Sequence, residues 1–563
     1  MTPRTALAIA AATGPSLLAY NVSPSPTFLN QALGIALWGW FVLAALPPAG
    51  HRARGAGALQ LALALVMAGV LWSWLPGALP AGLALSALGL LGAAMVMVAA
   101  GVGAFGDERP ADLFAAFAIG WVVSGLAGTA IGALQVFAPD LTGSDWIAAS
   151  SHPGRAVGNL RQPNHLSSLM LWSTVAVVAL LELRRLTLRW AAALFTLFVF
   201  TVVLTASRTG LVSVLLLAVW ALVDRRLSRP ARLLLLAAPL VYAVAWLGMA
   251  EWSRLTQATF GGEARLAETD ISSSRFGIWK NTLALIAANP WTGVGFGEFN
   301  FAWSLSAFPG RPVAFFDHTH NLPLQLAVEL GLPLALLVMG ALLWALAQAA
   351  RRAAAAEGDA GTGRRAALVM VVMIGLHSLL EYPLWYSYFL LPAAWAFAFA
   401  LGQGRPAAKP APPSLPVAAG AVALVVGSVL AVFDFTTVTP IFSAADTTRP
   451  LEQRVARGQR SVLFAHHADY AAATTDVGRG TLEPFERATH YLLDTRLMIA
   501  WSRVLAAKGE VDEARWIAAR LREFRNPASE AFFEACQDPA SAVLQFQCQA
   551  PERAHDWREF IRP

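Results

Sequence analysis

The chain has 563 residues, of which 56% are hydrophobic and only 13% are charged. Together with a mean hydropathy of +0.54, this composition excludes an ordinary soluble protein and indicates a chain that crosses a lipid bilayer. The formal net charge of +6 is not accompanied by a basic–aromatic sequence module of the kind that recognises nucleic acid. We therefore expect no nucleic-acid partner.

Apolar stretches long enough to cross a bilayer as helices, roughly 17–25 residues each, recur through the first 433 residues. The first could be mistaken for a cleaved signal peptide, because Arg4 precedes a run of small apolar residues. The many stretches that follow favour a retained first helix surrounded by membrane lipids. We predict an all-α, polytopic membrane helix bundle of about 12–13 transmembrane helices, from stretches near 5–20, 29–47, 57–75, 82–103, 112–138, 167–183, 190–206, 210–223, 233–250, 322–349, 366–385, 388–402 and 415–433.

Basic residues mark alternate connections between these stretches. Because basic loops stay in the cytoplasm, these connections are predicted to face that side. The loops at 139–166 and 251–321, and the chain after 433, are then predicted to face the periplasm of a bacterial inner membrane. The basic residues concerned are Arg52, Arg54, Arg184, Arg185, Arg189, Arg225, Arg226, Arg229, Arg232, Arg351, Arg352, Arg364, Arg365, Arg405 and Lys409.

The first outer loop carries a dense group of polar residues just before an apolar stretch. Its segment 158–165 has the sequence Gly-Asn-Leu-Arg-Gln-Pro-Asn-His, in which Pro163 keeps the preceding residue away from helical angles. Capping of the next helix by Asn164 and His165 is the ordinary explanation. The density of donors exceeds what a cap requires, so four residues are candidates for substrate binding: Arg161, Gln162, Asn164 and His165.

A single arginine, Arg208, lies between two apolar stretches at the predicted outer face, where the positive-inside rule does not explain it. Snorkelling to lipid phosphate is the ordinary explanation. A guanidinium also binds phosphate oxygens in a bidentate manner and does not lose its charge near neutral pH. Arg208 is therefore a candidate for holding an anionic headgroup.

The second outer loop contains further arginines and a glycine-rich run. Arg275 begins a predicted amphipathic helix that ends at Asn289-Pro290, and 293–297 follows as Gly-Val-Gly-Phe-Gly. This run lacks the Gly-Lys-Ser/Thr ending and the preceding strand of a phosphate loop, so we predict a tight turn with close backbone approach. The outer loops have no Asp-x-Asp pair for a divalent ion. A bound diphosphate is therefore expected to be neutralised by guanidinium groups, for which Arg265 and Arg311 are further candidates.

The second loop ends in Phe-Asp-His-Thr-His-Asn at 316–321, directly before an apolar stretch. Two histidines with this spacing could bind a metal ion, but no Glu-x-x-His motif or cysteine cluster accompanies them, so we expect no metal and no cofactor. Helix capping is the other ordinary role. Histidine exchanges a proton near neutral pH, which makes His318 and His320 candidates for acid–base chemistry.

The composition changes after the last apolar stretch. We predict a transmembrane body at 1–433, which includes both outer loops, and a C-terminal helical periplasmic domain at 434–563. Within it, Asp494–Arg525 predicts two amphipathic helices that resemble a tetratricopeptide hairpin. Cys536 and Cys548, the two cysteines of the chain, could form a disulfide in an oxidising periplasm or remain two free thiols.

Several motifs resemble known glycan-transferring membrane enzymes. His320-Asn321, nine residues and then Gly331 form a pattern similar to that of the O-antigen ligase and polymerase superfamily, although Leu334 stands where a small or hydroxyl residue is common. Residues 158–165, the segment Glu381–Tyr386 and the extra C-terminal domain are similar to bacterial protein O-oligosaccharyltransferases of the PglL type. The superfamily pattern also includes Arg275, Trp279, Pro290, Trp291, Gly293, Gly295, Glu329 and Leu330.

The resemblance implies a glycosyltransferase that moves an oligosaccharide from undecaprenyl diphosphate to a Ser or Thr hydroxyl of a periplasmic or pilin-like protein. His320 would be the general base, and Arg208 and Arg275 would bind the diphosphate. An O-antigen ligase acting on lipid A–core, an O-antigen polymerase and a lipid-glycan transporter are the alternatives. A transporter should place its ionisable residues along a path through both leaflets, whereas these gather at one face. The resemblance adds four substrate-binding candidates: His318, Asn321, Glu381 and Tyr382.

Overall fold

The computed structural model describes residues 1–47, 55–106, 110–266, 274–403, 412–443 and 449–561. In these ranges the chain forms helices and no strand, which confirms the predicted all-α fold class. The orientation across the membrane stays a prediction. Four of the basic residues on which it depends lie outside the described ranges: Arg52, Arg54, Arg405 and Lys409.

The helices follow one another closely through the first 443 residues. The first nine are α1 (Pro3–Leu17), α2 (Phe28–Ala44), α3 (Gly57–Trp74), α4 (Ala81–Gly103), α5 (Pro110–Phe137), α6 (Pro163–Glu182), α7 (Leu188–Thr205), α8 (Arg208–Val223) and α9 (Arg229–Thr256). They are followed by α10 (Gly261–Leu266), α11 (Arg275–Ala288), α12 (Phe299–Leu305), α13 (Leu322–Ala355), α14 (Gly358–Ser378), α15 (Ser387–Leu401) and α16 (Leu415–Phe435).

Every apolar stretch in the prediction corresponds to one of these helices. Eight helices of the described ranges are long and apolar enough to cross a bilayer, so the chain is a multi-pass membrane protein. The predicted span near 366–385 differs from the structure, because α14 ends at Ser378. Pro383 lacks the N–H that a continuing helix needs, so Glu381 and Tyr382 lie on the connection to α15.

The C-terminal part consists of shorter helices. These are α17 (Leu451–Gly458), α18 (Ala465–Thr474), α19 (Phe485–Ala488), α20 (Thr495–Ala507), α21 (Val511–Phe524), α22 (Glu530–Phe533) and α23 (Pro539–Leu544). The predicted hairpin is confirmed, since α20 and α21 pack against each other across a short connection. Cys536 and Cys548 form a disulfide, with their Cα atoms 5.2 Å apart.

The chain folds into two compact units. The first comprises Met1–Leu63, Gly92–Thr269 and Gly340–Leu430. Its most deeply buried helix is α6, which packs against α5, α7 and α14. The Trp172 indole donates a hydrogen bond to the Met370 carbonyl, at 3.0 Å. This central position holds the polar first turn of α6 in a fixed place within the unit.

The second unit comprises Ala64–Leu91, Asp270–Met339 and Ala431–Pro563. One hydrophobic core joins α11 and α12 of the second outer loop to α20 and α21, and the Trp516 indole donates to the Leu305 carbonyl at 2.9 Å. Residues after 433 therefore share their core with the loop instead of forming a unit alone. The predicted boundary at 433 lies close to Leu430, where the chain passes from the first unit to the second.

A sharp bend interrupts α13 at Gly331, whose φ of 75° and ψ of 162° are accessible almost only to glycine. The bend packs backbone to backbone against 290–295. The Val294 N–H donates to the Val328 carbonyl at 2.8 Å, and the Leu332 N–H donates to the Pro290 carbonyl at 2.8 Å. This contact confirms the predicted tight turn in the glycine-rich run.

Gly331→Ala tests this bend. A Cβ at residue 331 would collide with the Trp291 carbonyl and lie 2.8 Å from the Gly293 nitrogen, and the backbone angles add strain. We expect the free energy of unfolding to fall by about 2–5 kcal/mol, measured as a lower thermal midpoint in detergent. Gly340→Ala in the same helix is the control, because a Cβ there meets no atom within 4 Å. Equal midpoints for the two variants would contradict the packing described.

Candidate active site

The first unit joins three predicted polar segments through Asn164. The Asn164 amide donates to Glu381 Oε1 at 2.9 Å, and its oxygen accepts from the Ser207 hydroxyl at 2.6 Å. Ser207 is the N-cap of α8, whose first residue is Arg208. This Asn164 network (Asn164, Ser207 and Glu381) therefore fixes the backbone that carries Arg208.

Two candidate arginines of the first unit, Arg161 and Arg208, are close in the chain to residues of this network. Arg208 is partly exposed and donates from Nη2 to the Arg265 carbonyl, at 3.0 Å. Arg161 is exposed and donates from Nη2 to the Ala19 carbonyl, at 2.7 Å. Both bonds go to neutral carbonyl oxygens and help to position the two side chains.

The capping prediction for α6 was wrong in its choice of residues. Gln162 is the N-cap, and its side-chain oxygen accepts from the backbone N–H groups of Asn164 and His165. The side chain of His165 instead lies in the interior of the first unit. Its ring packs 4.6 Å from that of Tyr386, and its Nδ1 lies 3.2 Å from the Tyr388 hydroxyl.

Two buried polar residues near His165 were missed by the sequence analysis. His377 is fully buried, and its Nδ1 lies 2.8 Å from the Ser168 hydroxyl. The predicted candidate Tyr382 is connected to His165 through Tyr386, because its ring stacks on that of Tyr386 with the ring centroids 6.0 Å apart. Both His377 and Ser168 lie inside apolar stretches, where no local pattern distinguishes them from ordinary helix residues.

The second unit holds the His320 loop, which we define as residues 316–321. The Trp279 indole donates to the Thr319 carbonyl at 2.9 Å. Arg275 lies four residues earlier on α11, so both side chains project from one helix face, about 6 Å apart along the axis. The Arg-x-x-x-Trp pattern therefore connects the first turn of α11 to the residue next to His320.

Hydrogen bonds hold the other end of the His320 loop. The Thr319 N–H donates to Gln325 Oε1 at 2.7 Å, and the Gln325 amide donates to Glu329 at 2.8 Å. The Asn321 side chain accepts from the Leu324 N–H at 3.1 Å, which is the geometry of a helix N-cap. The capping role at this position therefore belongs to Asn321.

His320 itself has a left-handed backbone conformation, with φ of 55°, and its ring packs edge-on against Phe316 at 5.4 Å. Such a conformation costs a residue other than glycine about 1–2 kcal/mol. Ser274, Ala206 and Arg161 are also left-handed. Ser274 directly precedes Arg275, and Ala206 lies two residues before Arg208. Backbone strain concentrates at functional sites, so this pattern supports these segments as candidates.

The two histidines of the loop have different electrostatic surroundings. His318 Nδ1 lies 3.1 Å from an Asp317 carboxylate oxygen. Burial opposes the charged form of each group, but their mutual attraction outweighs it, so the pKa of Asp317 is lowered and that of His318 is raised. A raised pKa favours the cationic imidazolium, which has no free lone pair to accept a proton. His318 is therefore a poor base candidate.

Asn300 on α12 braces the loop and was not singled out from the sequence. Its amide nitrogen donates to the Phe316 carbonyl at 3.0 Å, and its oxygen accepts from the Leu493 N–H at 2.7 Å. Two residues before it, Glu298 has a carboxylate oxygen 2.7 Å from His490 Nδ1. A polar pair at alternate positions among aromatic residues, Glu298 and Asn300, was the available signal.

Arg311 has a structural position that the sequence did not suggest. It is fully buried, donates to the Trp303 carbonyl at 2.9 Å and pairs with Glu523 at 3.0 Å. Its guanidinium also lies 4.4 Å from the Phe524 ring centroid. Burial lowers its pKa to about 10, and Glu523 partly offsets this effect. We therefore withdraw Arg311 as a diphosphate ligand and assign it to the interior of the second unit.

These features define a polytopic all-α membrane protein with a braced histidine loop and separate clusters of arginine. Residues 192–339 match the family model described as O-antigen ligase, and 156–181 match that described as protein glycosylation ligase. Residues 365–536 match one described as virulence factor membrane-bound polymerase, C-terminal. The resemblance to the O-antigen ligase superfamily, and to its protein-glycosylating branch, is confirmed by these matches.

Two curated relatives come from Acinetobacter baylyi. A general O-oligosaccharyltransferase is 29% identical over 277 residues, which cover 46% of this chain and 47% of that protein. A ComP-specific O-oligosaccharyltransferase is 27% identical over 267 residues, which cover 44% of each. The chain thus spans about half the length of the curated relatives it matches.

Substitution of Asn300 tests the brace on the His320 loop. Asn300→Leu removes both hydrogen bonds, whereas Asn300→Asp keeps an acceptor for Leu493 and loses the donor to Phe316. We expect both variants to accelerate amide exchange at 317–320 by about tenfold, because one lost buried hydrogen bond is worth about 1–3 kcal/mol. Only Asn300→Leu should accelerate exchange at Leu493. Unchanged exchange in the loop of both variants would show that Asn300 does not hold it.

Proposed function

We propose that this chain is an O-linked oligosaccharyltransferase of the bacterial inner membrane, with its active site facing the periplasm. It moves a glycan en bloc from undecaprenyl diphosphate to Ser or Thr hydroxyls of periplasmic or pilin-like proteins. The observation that carries the proposal is His320, held in a left-handed conformation on a braced loop within the segment that matches O-antigen ligase. The names of the two relatives support the protein acceptor.

The proposed reaction is one displacement at the anomeric carbon of the glycan. The acceptor hydroxyl oxygen forms the new bond to this carbon, and the bond from the carbon to the diphosphate oxygen breaks. His320 takes the hydroxyl proton, and the electron pair of the broken bond remains on the undecaprenyl diphosphate. A positioned base typically contributes about 10²–10⁴-fold to such a step, since a neutral hydroxyl is a weak nucleophile.

The departing diphosphate gains negative charge, which Arg208 and Arg275 are proposed to stabilise. Both lie in the 192–339 match. Among the described residues, no group of three His, Cys, Asp or Glu side chains could hold a metal ion. Guanidinium groups are the proposed charge partners, with Arg265 and Arg161 in support.

The remaining candidates receive supporting roles in this proposal. Glu381 and Asn164 position the backbone before Arg208, and Gln162 fixes the first turn of α6. His318, paired with Asp317, supports the loop next to His320. Tyr382 is proposed to line the glycan path, and His165 to maintain the packing beneath it.

His320→Asn tests the assignment of the base. Asparagine tolerates the left-handed backbone but cannot accept the proton, so we expect the transfer rate to fall by about 10²–10⁴-fold with the donor KM unchanged. The measurement is transfer of a labelled glycan by purified enzyme in lipid nanodiscs. His318→Asn removes the neighbouring imidazole and should lose less than about tenfold. Equal losses in the two variants would overturn the distinction between them.

Arg275→Ala tests diphosphate binding. We expect the donor KM to rise by about 10–100-fold, the range for a lost hydrogen bond to a charged group. Lys280→Ala is the matched control, because Lys280 is exposed on the same helix but projects about 140° away from Arg275. The control should change the donor KM by less than about twofold. A similar change in both variants would indicate a general effect of net charge.

An O-antigen ligase that transfers the glycan to lipid A–core is the second candidate, favoured by the description of the 192–339 match. The 365–536 match is described as a polymerase, whose acceptor would be another lipid-linked glycan. Reconstitution with one donor and three separate acceptors distinguishes them: a pilin-like protein, lipid A–core and lipid-linked glycan. Glycan on the protein supports our proposal, whereas glycan only on a lipid acceptor contradicts it. Movement of the donor across the bilayer without transfer would instead identify a transporter.

A further inference from the structure

The second unit contains a surface groove of about 700 Å³ that lies outside the residues assigned so far. Its floor is one face of α20, formed by Arg496, Ile499, Ala500 and Arg503, which follow the i, i+3, i+4, i+7 spacing of a single helix face. One wall includes Phe315, whose ring stacks on Phe524 with centroids 3.8 Å apart. The groove is therefore built from packed elements.

The groove has a basic character. Arg496 and Arg503 are both exposed. Arg496 donates to the neutral Thr474 carbonyl at 3.1 Å, so its charge is not cancelled by that bond. The one carboxylate that lines the groove, Asp494, accepts from the Tyr470 hydroxyl at 2.8 Å and from the Leu497 N–H at 2.9 Å. Its oxygens therefore accept hydrogen bonds within the chain. Neither recorded contact of the two guanidinium groups, Arg496 with the Thr474 carbonyl and Arg503 with the Phe532 ring at 5.4 Å, cancels their charge.

The chain connects this groove to the His320 loop. Phe315 precedes His320 by five positions, so the Cα atoms of these two residues lie at most about 18 Å apart. An extended polypeptide covers this distance in about six residues. A substrate segment whose hydroxyl lay at His320 could therefore place its neighbouring residues in the groove.

We propose that the groove binds an extended, acidic segment of the acceptor protein, which begins at most about six residues from the modified hydroxyl. Aspartate or glutamate side chains pair with Arg496 and Arg503, and the apolar surface of Ile499, Ala500 and Phe315 receives the intervening residues. This inference rests on the proposed transfer to protein, because it names the part of the acceptor that the enzyme recognises.

The test measures peptide binding to the full chain in nanodiscs of neutral lipid, without donor. The probes are a fluorescein-labelled peptide with one serine and a run of aspartates about six residues from it, and the same peptide with asparagines. We expect the aspartate peptide to bind about tenfold more tightly at low ionic strength, with a smaller difference at high salt. Arg496→Glu combined with Arg503→Glu should remove the preference. Lys508→Glu, exposed at the end of the same helix, should retain it.

Equal affinity of the wild-type chain for the two peptides would overturn the proposal, as would a preference that survives the double reversal. Displacement of the peptide by vesicles of anionic phospholipid would assign the groove to lipid and also contradict it. Peptide binding without donor is independent of transfer, so a separate assay with lipid-linked donor separates the two claims. Selective binding of the aspartate peptide with no glycan transfer in that second assay would refute the proposed function and leave the groove intact. Glycan transfer to both peptides with equal KM would instead contradict the groove and support the proposed function.

Discussion

The close backbone contact between Gly293 and Gly331 determines the geometry of the candidate catalytic region. A Cβ at Gly293 would lie 2.5 Å from the Glu329 carbonyl group. The two backbone segments can therefore meet here only because neither glycine has a side chain. The contact ends the first part of α13, which starts immediately after the His320 loop. Trp279, Asn300 and Gln325 each bond to this loop, and Gln325 does so from the first part of α13.

Charge is distributed unevenly along the loop. Asp317 and His318 form a pair that favours the ionised form of both, and our proposal assigns proton transfer to His320. The C-terminal helices contribute to the same arrangement, since Leu493 shares Asn300 with the Phe316 carbonyl. In this account the residues after 433 are part of the catalytic unit, and the basic groove on α20 gives them a second role toward the acceptor.

Hydropathy and motif spacing were enough to predict the helices and the tight turn at 293–297, whereas the cap before α13, offered to the two histidines, is Asn321. They were not enough to separate Arg311 from the other arginines, because a fully buried guanidinium and an exposed one look alike without the surrounding carbonyls and Glu523. Asn300 was missed because its two partners are distant in sequence. The second unit could not be outlined either, since its core joins residues that several apolar helices separate in the chain.

Chemical rescue tests the central claim, that His320 accepts the proton of the acceptor hydroxyl, most directly. His320→Gly suits this measurement because glycine adopts the left-handed backbone of residue 320 without strain, so the variant keeps the loop and loses only the imidazole. We predict that free imidazole added to this variant restores glycan transfer with a saturable dependence on concentration. A folded variant that binds donor normally, yet gains no transfer from imidazole at any pH, would contradict the role of His320 as the base.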